Sequence, residues 1–353
     1  IKDDATGSGG TNDDRPSFAI NDVTVNEAAG TMTFTVTKTG LTNLASSVDF
    51  AFADGTATAG VGNDYTGTAG TLSFAAGDTS KTITVTIAND SVYEGAETFN
   101  VNLSNVIGAT IADSQGVGTI KDDGTGSGGT NDDRVLTVNS ITVNEGNGTN
   151  YAVFTVTANA GQTLTLTLSD GLTPTATSGT DYINALEYWS GSAWVPYTAA
   201  FAVPGTANAQ ESLLVRVAIT GDATYEGAED FNLTAAYTSG ASRSTTGVAT
   251  IVDDGTGTKY TNGNPTGSTP ATDATNLDDD RSLTVSGGCY NEASPRAIFT
   301  VNANQGQVLT LDVQNAAQPG KAPTGNNEGK PNDSLDNAPM YYSLDGGATW
   351  HLY

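Results

Sequence analysis

The sequence predicts an all-β chain of tandem antiparallel sandwiches, and three observations predict it. Short runs alternate apolar residues with Thr, Asn and Ser, as in "TMTFTVTKTG" at 31–40 and "KTITVTIAND" at 81–90. Such period-two alternation in β-branched residues, bounded by Gly, Asn and Asp, marks half-buried strands. No window carries apolar residues at helical spacing for three turns, and the 42 glycines suit frequent tight turns. Finally, the pattern recurs with a long period, and that repeat sets the layout.

Taken in order, the first strands lie around "VTVNEAAGT" at 23–31, which returns as "ITVNEGNGT" at 141–149 and more loosely as "LTVSGGCYNEASP" at 283–295. "VYEGAETFNVNL" at 92–103 returns as "TYEGAEDFNLTA" at 224–235, and "GVGTIKDDG" at 116–124 as "GVATIVDDG" at 247–255. Glu27 and Glu145 are 118 residues apart, the size of one sandwich. Residues 1–16 read as the end of a preceding repeat plus a linker, 17–123 as one sandwich and 124–134 as a linker. Residues 135–254 read as a second sandwich, 255–281 as a longer linker and 282–353 as an incomplete third repeat. The linkers are Gly-rich and polar, with too few apolar residues for a core of their own. An incomplete sandwich would expose an apolar face and open edges, so its remainder is expected in sequence beyond this stretch or from another chain.

Composition narrows the function. With 13 Lys plus Arg against 39 Asp plus Glu, the formal charge is −26. That argues against nucleic acid and anionic membrane surfaces as partners and favours solubility or cations. One cysteine, Cys289, permits no disulfide within the chain, and as a solitary thiol it reads as a small buried apolar residue. One histidine, His351, cannot build a catalytic triad in a formed pocket or a zinc site. No apolar run is long enough for a membrane span, and no signal peptide is visible. Trp189, Trp194 and Trp350 recur at matched places and read as buried core rather than a sugar-stacking platform. Asn-x-Ser/Thr sequons at Asn89, Asn102, Asn147, Asn232 and Asn332 are compatible with an extracellular role.

The acids fall at strand tips and turns: Glu27, Asp64, Asp90, Glu94, Glu97, Asp122 and Asp123, then Glu145, Asp181, Asp222, Glu226, Glu229, Asp253 and Asp254. Two explanations compete. Asp and Asn favour turns because their side chains cap local backbone groups. Alternatively, strand tips gather at the ends of a sandwich, where carboxylates converge and repel unless a cation neutralises them. Calcium, which takes six to eight oxygens, suits such a set. The near-identical "IKDDATGSGGTNDDRP" at 1–16 and "IKDDGTGSGGTNDDRV" at 120–135 admit three readings: flexible spacer, paired turns, or half of a metal site.

"TVNEAAGT", "GTATAGVGNDYTGTAGTLSFAAGDTSKTITVTIANDSVYEGAETFNVNL" and "GTIKDD" together resemble the Calx-β domain family. The likeness covers the first repeat end to end and both ends of the second, whose middle carries an insert; in the third only the opening remains. It implies an immunoglobulin-like sandwich binding calcium at one tip. By position, the implied ligands are Glu27, Asp64, Asn89, Asp90, Glu94, Glu97, Asp122 and Asp123, then Glu145, Asp181, Asp222, Glu226, Asp253 and Asp254. Relative to strongly calcium-sensing members, one acid is missing from each of two runs, which favours structural occupancy over tight sensing.

The expected function is therefore a non-enzymatic calcium-binding repeat region of a secreted bacterial surface protein, an adhesin stalk or extracellular matrix fibre. Calcium is expected to stiffen the junctions. The alternatives are a self-assembling filament or surface-layer subunit, and a calcium-sensing regulatory module. Expected partners are neighbouring repeats, other copies in a fibre, or a surface polysaccharide.

Overall fold

Strand formation follows the alternation directly. In a computed structural model that describes residues 15–40, 44–60, 62–146, 150–172, 174–260, 265–266, 269–275, 277–288, 296–311 and 340–353, two sandwiches occupy most of the chain. The first contains β1 (Ser17–Ile20), β2 (Val23–Asn26), β3 (Thr31–Thr39), β4 (Ser46–Asp54) and β5 (Tyr65–Thr66). It continues with β6 (Gly70–Phe74), β7 (Ser80–Ile87), β8 (Glu97–Ile107), β9 (Thr110–Ile111) and β10 (Gln115–Lys121). Its two sheets run β5-β7-β3-β1-β9 and β2-β10-β8-β4-β6. Met32, Phe34 and Val36 of β3 face Phe99 and Val101 of β8 in one core, while the intervening Thr side chains point outward.

The second sandwich holds β11 (Leu136–Val138), β12 (Ile141–Asn144), β13 (Asn150–Asn159), β14 (Thr163–Asp170) and β15 (Tyr182–Trp189). Then follow β16 (Trp194–Pro196), β17 (Phe201–Ala202), β18 (Gln210–Ile219), β19 (Glu229–Tyr237) and β20 (Ser244–Val252). Its sheets are β11-β13-β18-β15-β16 and β12-β20-β19-β14-β17. Both sandwiches depart from pure antiparallel pairing. The chain changes sheet between its first two strands, so β2 runs parallel to β10, and β12 to β20.

A shared aromatic pair centres each core. Tyr65 stacks on Phe99 at 4.0 Å and Tyr182 on Phe231 at 4.4 Å. Each hydroxyl is held inside the sandwich, Tyr65 donating to Asp54 at 2.6 Å and Tyr182 to Asp170 at 2.7 Å. The acid preceding each tyrosine, Asp64 or Asp181, is thereby fixed at the pole.

The tryptophans are not core residues. Trp189 and Trp194 meet edge to face on the β15–β16 hairpin, partly exposed, because Leu186 and Tyr188 take the inward positions of β15 and alternation turns Trp189 to its other face. Trp194 instead packs on the Arg216 guanidinium, which lies 4.4 Å from its ring and 4.1 Å from that of Tyr151. Trp350 is 42% exposed.

Both linkers are packed onto a sandwich. Asn26, fully buried, takes the Asn131 amide proton at 3.0 Å and donates to the carbonyls of Thr125 and Asn131 at 3.1 and 3.0 Å. Ser127 bridges Val25 as an added parallel strand residue. Gly126, at φ +97°, allows this approach, because a Cβ there would come within 2.6 Å of the Asn26 backbone. Asn144 repeats the clamp on the second linker, bonding Asp278 through both its amide nitrogen and its oxygen, while Thr258 bridges Val143. The spacer reading of the glycine segments is thus replaced by a strapped backbone. Two short strands, β21 (Pro265–Thr266) and β22 (Thr269–Pro270), pair within the second linker.

Residues 282–353 form a separate unit. There β23 (Leu283–Gly287) pairs antiparallel with β24 (Phe299–Ala303), and β25 (Tyr341–Tyr342) with β26 (His351–Leu352). Leu283, Val285 and Phe299 are exposed, and His351 lies against the Tyr342 ring at 5.4 Å. Cys289, Asn147 and Asn332 lie outside the described residues.

Candidate metal centre

Strand ends and loops bring two carboxylate clusters to the same pole of the first sandwich. Glu27, at the end of β2, meets Asp122, just after β10, and Asp133 of the linker; the three offer oxygens within 4.8 Å of one another. Asp64, before β5, meets Glu94 and Glu97, which lead into β8, under the same limit. One small cleft is lined by carboxylates of both clusters. The second sandwich gathers Asp181, Glu226 and Glu229 in one cluster and Asp253, Asp278 and Asp280 in the other, again within 4.8 Å.

Burial and mutual repulsion make these acids hard to ionise. Burial first, then Asp133 and Glu27, pushes Asp122 up to about 7. Glu97 rises to about 7 through burial and the charges of Asp64 and Glu94, and Glu27 and Glu94 rise as well. Glu145, Glu229 and Asp253 follow in the second sandwich, to about 7, 7 and 6, with burial the largest cause each time.

Several oxygens in the two linker-facing clusters have no hydrogen bond at all. Oδ2 of Asp122, Asp253, Asp278 and Asp280 are buried and without a partner. A buried carboxylate oxygen in that position is costly unless something positive accepts it. An oxygen-only donor set with orphaned carboxylate oxygens fits a hard divalent cation.

The structure sorts the sequence-implied residues by which way each points. Successive residues of an extended segment face opposite sides, so each Asp-Asp pair divides. Asp122 faces the cluster, whereas Asp123 accepts from the Thr125 amide at 3.0 Å and its hydroxyl, capping the linker turn. Burial would raise Asp123, yet these bonds together with Lys121 and Arg134 hold it below the usual carboxylate range. Asp254 likewise caps Thr256. Neither joins a cluster.

Asn89 and the remaining acids take supporting positions. The Asn89 side-chain oxygen accepts from Asn131 at 3.0 Å, tying the loop to the linker. The amides of Asp90 and Asp222 donate to Glu27 and Glu145 at 2.8 and 3.2 Å, while their carboxylates cap Val92 and Thr224. Glu145 is buried beside Asp253, Asp222 and Glu226 without belonging to a three-acid cluster.

Asp133, Glu229, Asp278 and Asp280 were absent from the sequence-implied set. Glu229 had a signal, since "EGAED" matches "EGAET" with Glu97 in the same place. The linker acids had only the repeated "DDR".

That tripeptide also builds a joint. Arg134 is fully buried between the sandwiches. Its Nε pairs with Asp132 at 2.8 Å, and its other nitrogens donate to the carbonyls of Asp123, Ser239 and Ala241 at 3.1, 2.6 and 2.9 Å. Its guanidinium lies 4.9 Å from the Tyr237 ring. Gly240, at φ +72°, keeps the socket open, because a Cβ there would stand 2.7 Å from Nη1. Arg281 repeats part of this pattern with Asp279 at 2.7 Å and the Asp254 carbonyl at 2.7 Å.

Parts of this chain match known proteins. The Calx-beta domain family matches residues 11–124 and 206–255. Sodium/calcium exchanger 1 of Canis lupus familiaris is 43% identical over 93 residues, 26% of this chain and 9% of that protein. The bovine (Bos taurus) exchanger is 46% identical over 82 residues, 23% of this chain and 8% of its own length. The chain therefore spans under a tenth of those relatives. Among solved structures, the apo-form Calx CBD1 domain aligns with 28% identity over 31% of this chain and 98% of that one, at a TM-score of 0.29. CBD12 from CALX1.2 aligns with 20% identity over 62% of this chain and 79% of that one, at 0.31. The matched segments, one spanning the whole first sandwich and the other the last strands of the second, belong to the Calx-beta domain family.

Proposed function

We propose that the chain is a calcium-binding structural repeat region of a secreted bacterial surface protein, an adhesin stalk or matrix fibre in which calcium fixes the sandwiches and their junction. One observation carries it: Asp133 of the linker completes a carboxylate cluster of the first sandwich, and Arg134 beside it is buried against the second. A cation held by Glu27, Asp122 and Asp133 would tie down the segment that joins the sandwiches. Calcium is the cation of choice because the donors are all oxygens and the clusters contain neither His nor Cys. At ten times its dissociation constant, each ion would add about 1.4 kcal/mol. The tandem layout and the reuse of "TNDDR" support an extended array, and the surface location belongs to the same proposal.

A second reading, a calcium-sensing regulatory module, is favoured by the 43% identity with part of the exchanger. Affinity separates the two: a structural extracellular module responds at about 10⁻⁴ to 10⁻³ M calcium and a sensor at about 10⁻⁷ to 10⁻⁵ M. Small-angle scattering and sedimentation of the full chain, with calcium and then with chelator, test the proposal. A monomer that shortens and loosens only in chelator, with a sub-millimolar to millimolar midpoint, supports it. A micromolar midpoint supports the sensor, reversible polymerisation supports the filament, and an unchanged particle contradicts all three.

A further inference from the structure

The pole of the first sandwich opposite its carboxylates holds an open cavity of about 510 Å³ lined by Ser46, Phe74, Asp78, Lys81 and Ile107. Ser46 is 5% exposed and its Oγ is buried with no hydrogen-bond partner. Ile107 at the rim is 69% exposed. A buried orphan hydroxyl beside an exposed aliphatic side chain suits a partner that brings both a polar and an apolar group.

The second sandwich shows what covers this pole. Gln162, directly before β14, donates to the Tyr93 hydroxyl of the first sandwich at 2.7 Å. Asn208, in the β17–β18 loop, donates to the Glu94 carbonyl. Ser239, before Gly240, accepts from Arg134 at 2.6 Å. The first sandwich has counterparts in the same places. Ser46 opens β4 opposite Phe74, and Asp78 lies in the β6–β7 loop. Ile107 precedes Gly108, whose φ of +71° matches the +72° of Gly240. Arg15 ends "TNDDR" as Arg134 does, and it is exposed where Arg134 is buried.

Charge agrees with the geometry. Arg15, Lys38 and Lys81 are three of the four Lys and Arg within residues 15–123, and all belong to this end. Lys38 donates to the Ala75 carbonyl at 3.3 Å and Lys81 pairs with Asp78 at 2.9 Å. A basic pole facing an acidic one is the arrangement that Arg134 and Arg243 around Asp132 already make between the two sandwiches.

We propose that this pole is a docking site for the tyrosine–glutamate loop of another Calx-beta sandwich placed ahead of it in the same chain, as Tyr93 and Glu94 dock on the second sandwich. The partner's tyrosine would enter the cavity and meet Ser46, and Arg15, at the end of the linker between them, would be buried as Arg134 is. This extends one observed joint into a rule for stacking the modules head to tail, and it does not depend on which cation the clusters hold.

Hydrogen exchange tests it. The full chain is compared with a longer one in which residues 1–15 are replaced by a second copy of residues 17–134, both in calcium. Amides of residues 44–47, 74–78 and 105–109 should slow in the longer chain by the factor that Tyr93→Ala accelerates exchange around Gln162 in the natural one. Tyr93→Ala in the added copy should abolish that slowing, and Tyr93→Phe, which keeps the ring, should abolish only part of it. Unchanged exchange at these amides, with normal protection of the core strands, would overturn the proposal. So would protection that appears in the natural chain on raising its concentration, which would assign the pole to contacts between copies.

Discussion

Asp133 and Arg134 are adjacent in the chain and serve different sandwiches. The Asp133 carboxylate lies with Glu27 and Asp122 of the first, while the Arg134 guanidinium reaches the Ser239 and Ala241 carbonyls of the second. Opposite-facing neighbours on an extended backbone make this division, and it couples the cation cluster to the joint with no intervening lever.

Arg134→Met should open the joint. It leaves Asp132 short of its closest partner and strands the Ser239 and Ala241 carbonyls, and breaking a buried pair costs about 3 kcal/mol. Denaturant unfolding should show that loss, and scattering should show a wider spread of sandwich orientations even with calcium present.

Asn26→Ala should release the first linker while leaving the core in place. The Thr125 carbonyl and the Asn131 amide lose their partner, while the Asn131 carbonyl keeps only the Gly124 amide, a penalty of about 1–3 kcal/mol. Limited proteolysis should then cut within residues 124–131 faster than in the parent.

Asp122→Asn and Asp123→Asn should differ sharply, although the residues are neighbours. Removing the Asp122 charge should weaken calcium binding on the order of tenfold, because affinity follows ligand charge. In chelator the same change should stabilise the protein, since it relieves a carboxylate that burial and Asp133 already push up to about 7. Asp123→Asn should leave calcium affinity unchanged and speed amide exchange at Thr125, which Asp123 caps. Calorimetric titration of both variants checks the contrast.

The cation-free chain should lose stability as pH rises. Asp122, Glu97, Glu145 and Glu229 are raised to about 7 in the fold, above their unfolded values. The native state therefore binds more protons than the unfolded state between about pH 4 and 7, so the slope of stability with pH is negative there. Thermal midpoints in chelator should be higher at pH 5 than at pH 8. Calcium should reverse the order, because bound ions hold the carboxylates ionised and protons compete with them below pH 7.

Much of this was legible in the residues. Alternation named the strands, and repeated "YEGAE" and "DDG" segments placed Glu94, Glu97 and Asp122 at strand tips, which all gather at one pole. The linkers were not legible, because Asn26 and Asn144 grip backbone groups about a hundred or more residues away, and such bonds leave no periodic trace. Composition suggested loose glycine spacers where glycine serves close backbone approach. Asp123 and Asp254 were grouped with the cluster acids since sequence alone does not say which member of a pair faces inward. The tryptophans misled in the other direction, aromatic recurrence pointing to a core whose inward places on β15 belong to Leu186 and Tyr188.

Calorimetric calcium titration of Asp133→Asn beside the parent, paired with scattering on the same samples, bears most directly on the linker carboxylate as a shared ligand. Binding weakened on the order of tenfold at one class of site, with joint order lost at calcium levels that still order the parent, is the expected result. Identical isotherms and identical scattering from the two proteins would show that the linker acid plays no part in holding the cation.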